Sequence, residues 1–263
     1  MFFLIYPTGL DYQLRQRGFF SFIVIGLVLY RAVLSIVFPR SSVMALPYFP
    51  PEELTPQFFS ALFQSLFTAP VPRYLILEHQ IVIWASVFFL VLFWWIFGPA
   101  LEDRLSRPAL IGAYFFGAAI GILMMAADIF GMTGVFWLGM SATIFVSGMC
   151  YPLFSDNDVR VVFFLFFIWS GGGYSQFRMP TVFALVPMSL FFFCSQSLFW
   201  YNEKDSVIAV RFGEIQPIGW ALLLTFLGAA AGIMWKKYER DAALRAASLP
   251  EEDAPPSSQH VAR

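Results

Sequence analysis

Charge, histidine and cysteine are all scarce in this sequence, and each shortage removes a class of function. Charged residues make up 13% of the 263, against about 25% in an ordinary soluble domain. Hydrophobic residues reach 59% and mean hydropathy is +0.71, more apolar surface than a soluble globule has use for. The formal net charge is −1, and the basic residues sit in short clusters between apolar runs, which sets aside nucleic acid as a partner. Two cysteines, Cys150 and Cys194, lie inside apolar runs without Cys-x-x-Cys or Cys/His spacing. No metal, redox centre or cofactor is therefore expected, and both read as packing residues. The two histidines, His79 and His260, are the only sources of imidazole chemistry.

What is abundant is long apolar segments. A membrane-spanning helix needs about 20 apolar residues, because the hydrocarbon layer is about 30 Å thick and each residue rises about 1.5 Å. Six segments qualify, at about 19–38, 80–98, 109–130, 139–154, 181–200 and 218–235. Backbone polar groups cannot go unpaired in lipid and period-2 alternation is absent, so the reading is an all-α integral membrane protein, a six-helix bundle over 19–236. Residues 1–18, with the apolar MFFLIYP, form an interfacial N-terminus. The 41–78 segment is a loop holding a short interfacial helix, and VRVVFFLFFIW at 159–169 lies at the membrane surface. Residues 237–263, with PEEDAPPSSQ, have too few large apolar residues to pack and read as a disordered tail.

Lys and Arg on alternate sides of these spans number eleven against four, the four being Arg40, Arg73, Lys204 and Arg211, with Arg31 inside the first span. That bias makes the protein multi-pass with both termini cytoplasmic. Arg31 is expected to snorkel to the outer interface. Asp128, at the end of the third span, is expected to reach water and cap.

Three short patterns stand in these spans. The second closes FFLVLFWWIFGPALEDRLSRP, with Gly98 and Glu102 four apart and Ser106 four further on. The fourth opens FWLGMSATIF, placing Gly139, Ser141, Ala142 and Phe145 on one turn and a half. The sixth contains FLGAAAGI, with Gly228 and Gly232 four apart, a spacing that also serves general close packing of membrane helices. In this order and spacing the sequence resembles the rhomboid family. The matching motifs are Gly-x-x-x-Glu-x-x-x-Gly in the second helix, here with Ser106 for the last glycine, Gly-x-Ser-Gly/Ala in the fourth, and His-x-x-Gly-x-x-x-Gly in the sixth.

The resemblance implies a serine protease site, and the residues present depart from it. A serine hydroxyl needs a base within hydrogen-bond reach. The family's histidine falls at Thr225, and its oxyanion-hole histidine and asparagine fall at Ser86 and Leu90. His260 is in the tail, and His79 precedes Ser86 by seven residues, about 10.5 Å along a helix. No catalytic residue is expected, and Ser141, Gly139, Thr225, Ser86 and Leu90 are a vestigial set. Gly98, Glu102, Gly228 and Gly232 keep structural roles, with Glu102 anchoring the adjoining turn and the two glycines facing the fourth span near Ser141 and Phe145.

What remains for such a protein is recognition without cleavage, as a pseudoprotease. Its partners are expected to be transmembrane helices of client or partner proteins and the lipid bilayer, possibly within a larger membrane complex. In rhomboids the client helix enters between the second and fifth spans, so the resemblance makes Phe93, Trp94, Phe192 and Phe193 the partner-binding candidates. Two rival readings stay open, an intramembrane serine protease using Ser141 with a displaced base, and a small-solute transporter or channel. The latter is disfavoured because the spans hold few ionisable residues.

Overall fold

The computed structural model describes residues 3–10, 18–37, 48–49, 54–67, 77–126, 134–135, 138–155, 160–167, 173–196, 200–202, 207–209 and 215–248. These are mostly helical: α1 (Phe19–Val37), α2 (Pro56–Ser65), α3 (Leu77–Ile96), α4 (Gly98–Leu105), α5 (Arg107–Ala126), α6 (Leu138–Leu153), α7 (Thr181–Gln196) and α8 (Ile215–Ser248). Each of the six apolar segments contains one of the longer helices. Among the described residues, Gly219–Arg245 is long and apolar enough by itself to cross a membrane, and Trp84–Ile96 with Gly98–Leu105 qualifies as a pair bent by 45°. Phe19–Leu34, Arg107–Leu123 and Leu138–Leu153 are apolar but shorter.

Local chemistry sets the helix ends. Thr55 caps α2, its hydroxyl accepting from the Phe58 N–H at 3.2 Å, and Pro56 follows where a missing N–H costs nothing. The bend between α3 and α4 falls at Phe97, just before Gly98-Pro99, because the proline ring obstructs the preceding turn. Leu101 N–H still donates to Phe97 O at 2.9 Å, so the backbone turns without losing its ladder there. Ser106 ends α4 at φ 66° and ψ 154° and accepts at 3.0 Å from Leu110 N–H to begin α5.

Two expectations need correction. A three-stranded antiparallel sheet, order β1-β4-β5, joins β1 (Phe3–Leu10), β4 (Arg160–Phe167) and β5 (Gly173–Pro180). The N-terminus and 159–169 are therefore not separate surface segments. Phe3 pairs with Phe167 and Leu10 with Val161, and Arg160 pairs with Pro180. RVVFFLFF is β-branched and aromatic, which favours a strand even without polar alternation. Two smaller antiparallel pairs are present, β2 (Tyr48–Phe49) with β3 (Gly134–Val135) and β6 (Trp200–Asn202) with β7 (Val207–Ala209), so Trp200 at the end of the fifth apolar segment belongs to a strand. The disordered tail expected from residue 237 is likewise corrected as far as Ser248, where α8 ends. Its last turns are rich in alanine, the best helix former, and Trp235 Nε1 donates to Glu239 Oε1 at 3.1 Å, one turn on.

The core centres on α6. Fourteen of its residues, from Leu138 to Leu153, are buried, and α5, α7 and α8 all pack against it. Outside that core the exposed faces are apolar as well, unlike those of a soluble protein. Phe19, Phe22 and Val33 on α1, Phe115, Phe116 and Leu123 on α5, and Phe226, Ile233 and Met234 on α8 are all exposed.

Candidate functional site

Ser141 is the fourth residue of α6 and wholly buried, as is Ser86 on α3. Leu90, one turn beyond Ser86, is buried among aliphatic and aromatic neighbours and carries no polar side-chain atom. Thr225 on α8 donates its hydroxyl to Ala221 O of its own helix at 2.9 Å, which satisfies it locally. His79 lies in the first turn of α3, its side chain outside the described residues, as are Asp128 and His260. Among the described residues no group of three His, Cys, Asp or Glu could hold a metal ion.

What brings α8 to α6 is the absence of side chains. A Cβ on Gly228 would overlap the carbonyl oxygen of Phe145, and one on Gly148 would overlap that of Thr225. A Cβ on Gly232 would come within 2.6 Å of Pro152 Cγ and 2.8 Å of Met149 O. The α8 glycines thus face α6 at Phe145 and from there away from Ser141. On the other flank, a Cβ on Gly117 of α5 would stand 2.6 Å from Phe145 Cβ and 3.1 Å from Ala142 Cα. Gly117 was missed although it stands four before Gly121 in the same Gly-x-x-x-Gly spacing, and Gly148 because it sits in no such motif. Their signal is backbone contact with a distant segment.

Glu102 does more than anchor its own turn. Its carboxylate accepts from the N–H groups of Phe19 at 2.9 Å, Phe20 at 3.0 Å and Ser21 at 3.3 Å, and from Ser21 Oγ at 3.4 Å. These are first-turn donors that α1 cannot satisfy internally, so a side chain some 80 residues away acts as its cap. Arg107 Nε donates to Glu102 Oε1 at 2.9 Å and supplies the countercharge. Gly98 lets α1 approach here, since a Cβ would stand 2.5 Å from Ser21 Oγ. At the same end Arg104 donates to Leu153 O, and Lys236 Nζ approaches Pro152 O at 3.5 Å and Ser155 Oγ at 3.4 Å. Two cations from different helices therefore meet the carbonyl end of α6.

The partner-binding candidates require correction. Phe93, Trp94 and Phe192 are buried at 0% exposure, and Phe93 meets Phe192 edge to face with centroids 6.0 Å apart. They join α3 to α7 inside the chain and present nothing to a partner. The side chain of Phe193 lies outside the described residues. Among the described residues, the exposed large apolar side chains of these helices are Phe88 at 60% and Trp95 at 42% on α3 and Val182, Phe183 at 65% and Val186 on α7. Arg31 does not simply snorkel outward, because its Nη2 donates to Gln64 Oε1 of α2 at 2.7 Å. Gln64 in turn donates to Ser60 Oγ at 3.2 Å.

The class defined by these observations is a mostly helical protein with an apolar exterior and a small-residue core helix. No family model, curated protein or solved structure matches the chain.

Proposed function

We propose that this chain is a multi-pass membrane protein of rhomboid-like, non-catalytic type that binds the transmembrane helices of client or partner proteins. The observation that carries the reading is the apolar surface around α6, where an almost wholly buried helix bearing Gly139 and Ser141 is ringed by helices whose outward faces are apolar. Such faces on a soluble monomer would be aggregation sites, and a bilayer is the environment that satisfies them. α1, α3 and α5 run 19, 20 and 20 residues, about 28–30 Å, the depth of the hydrocarbon layer. The absence of catalysis is supported by the groups at the expected positions. Leu90 offers no donor to an oxyanion, and the Thr225 hydroxyl is committed to its own helix and is no base.

The client-facing surface assigned to α3 and α7 is the exposed set Phe88, Trp95, Val182, Phe183 and Val186. A photo-crosslinker at Phe183 in native membranes should capture a protein, and Ser141→Ala should capture it equally. Capture should be lost when the captured protein's own transmembrane segment is replaced by leucines. Fluorophosphonate labelling of Ser141, or cleavage of the captured protein abolished by Ser141→Ala, would make the chain a protease. Capture of lipid alone at Phe88, Phe183 and Val186 would remove the client-binding role.

A further inference from the structure

The exterior is not uniformly convex. Between α5 and α8 lies an open slot of about 600 Å³, floored by Phe145 and Met149 of α6 and walled by Gly112, Ala113 and Ala231. Its rims carry Phe116 on one side and Met234, Trp235 and Tyr238 on the other. Gly112 is exposed, and a Cβ added there meets nothing within 4 Å, so its wall is set back from every neighbour. Small residues wall the slot and bulky ones rim it. The volume equals about 20 water-sized groups of about 30 Å³ each, the size of one hydrocarbon chain. The lining residues run from Ala109 to Phe116 on α5 and from Ala231 to Tyr238 on α8. Seven residues of rise come to about 10.5 Å, within the depth of a single leaflet.

Charge then selects the headgroup. Ala231, Tyr238 and Arg245 recur at intervals of seven, so Arg245 continues the face of α8 that lines the slot, two turns beyond Tyr238. Helical side chains lean toward the N-terminus, and for the exposed Arg245 that is the direction of the slot. Across 98–108 and 235–248 the basic residues Arg104, Arg107, Lys236, Lys237, Arg240 and Arg245 outnumber the acidic Glu102, Asp103, Glu239 and Asp241 by six to four. Of these, Glu102 and Arg107 pair with each other, so five basic residues stand against three acidic ones.

We propose that this slot holds one acyl chain of an anionic phospholipid, with its phosphate toward Arg245. The proposal rests on the membrane reading above and adds a specific lipid site to it. It is tested by native mass spectrometry of the detergent-solubilised full chain given equal amounts of phosphatidylglycerol and phosphatidylcholine. One phosphatidylglycerol should be retained in preference, and Arg245→Ala should lower that preference about fivefold, the effect of one cation near a headgroup. Gly112→Leu should abolish retention by filling the slot, with an unchanged melting temperature showing that the fold persists. Equal retention of both lipids, or retention indifferent to Gly112→Leu, overturns the proposal while leaving the membrane reading intact. Release of the protein from membranes by carbonate without detergent overturns the membrane reading itself. A disulfide-linked dimer through Gly112→Cys would assign the slot to a second copy of the chain, and the lipid proposal would fall.

Discussion

Trp94 on α3 donates its indole N–H to the hydroxyl of Thr143 on α6 at 3.1 Å, and Thr143 passes its own proton to Gly139 O at 2.7 Å. Both side chains are wholly buried, so the bond ties the second apolar segment to the start of the core helix. Thr143→Val keeps the shape and strands the indole N–H, at a cost of about 1–3 kcal/mol, whereas Thr143→Ser keeps the acceptor and costs less. Thermal unfolding in detergent should rank the two in that order, and equal melting would show that the bond contributes nothing.

Glu102 is expected to matter more than its ion pair. Glu102→Ala leaves three first-turn N–H groups of α1 without their acceptor, with charge-assisted bonds worth about 1.5–3 kcal/mol each in a buried setting. Arg107→Ala removes a partner whose side chain is 46% exposed and should cost about 1 kcal/mol or less. Should the two variants lose equal stability, the ion pair and not the capping of α1 would be the main contribution.

Ser106 stands where the rhomboid pattern has glycine, and its φ of 66° with ψ of 154° lies in a region that only glycine visits easily. Ser106→Gly is therefore expected to stabilise the protein by about 1–3 kcal/mol. A lower melting temperature for this variant would show that the serine contributes a contact outweighing its strain.

Close approach and open space can be compared glycine by glycine. Gly228→Ala drives a methyl into the Phe145 carbonyl and should cost about 1–3 kcal/mol. Gly26→Ala on α1 meets nothing within 4 Å and should be neutral or gain up to about 1 kcal/mol. If Gly228→Ala melts with the parent, α8 does not rest on α6 as described.

The proposed orientation, with both termini cytoplasmic, rests on basic residues alone and has its own check. In a chain with Cys150 and Cys194 replaced, a cysteine placed in 41–75 should react with an impermeant thiol reagent from outside, and one in 249–263 should not. Labelling in the opposite sense would reverse the assignment.

The positions of the helices were legible because apolar length is a property of one segment. Which way each helix faces was not. Phe93 and Phe88 are both phenylalanines on α3, yet one is wholly buried and the other faces out. When the surroundings are as apolar as the core, hydrophobic periodicity carries no direction, and so Phe93, Trp94 and Phe192 were read as partner surface. The sheet was hidden for a different reason, since β1 and β4 pair across some 150 residues and neither shows polar alternation. Gly228 and Gly232 were legible because Gly-x-x-x-Gly is a local spacing. Their partner Gly148 is isolated in sequence, and nothing local marks it.

The bond from Glu102 to the N–H of Phe19 spans 83 residues, which imposes an order on the protein's synthesis. At about 5–20 residues per second, α1 waits about 4–17 s after it leaves the ribosome before its cap exists. During that interval its first turn must be hydrated or held by another partner, so α1 can settle only with α4 in place. The carbonyl end of α6 waits likewise for Lys236. A ribosome stalled with α1 outside its exit tunnel and Glu102 still inside should therefore leave α1 open to protease at Phe19, and one stalled after Glu102 has emerged should not.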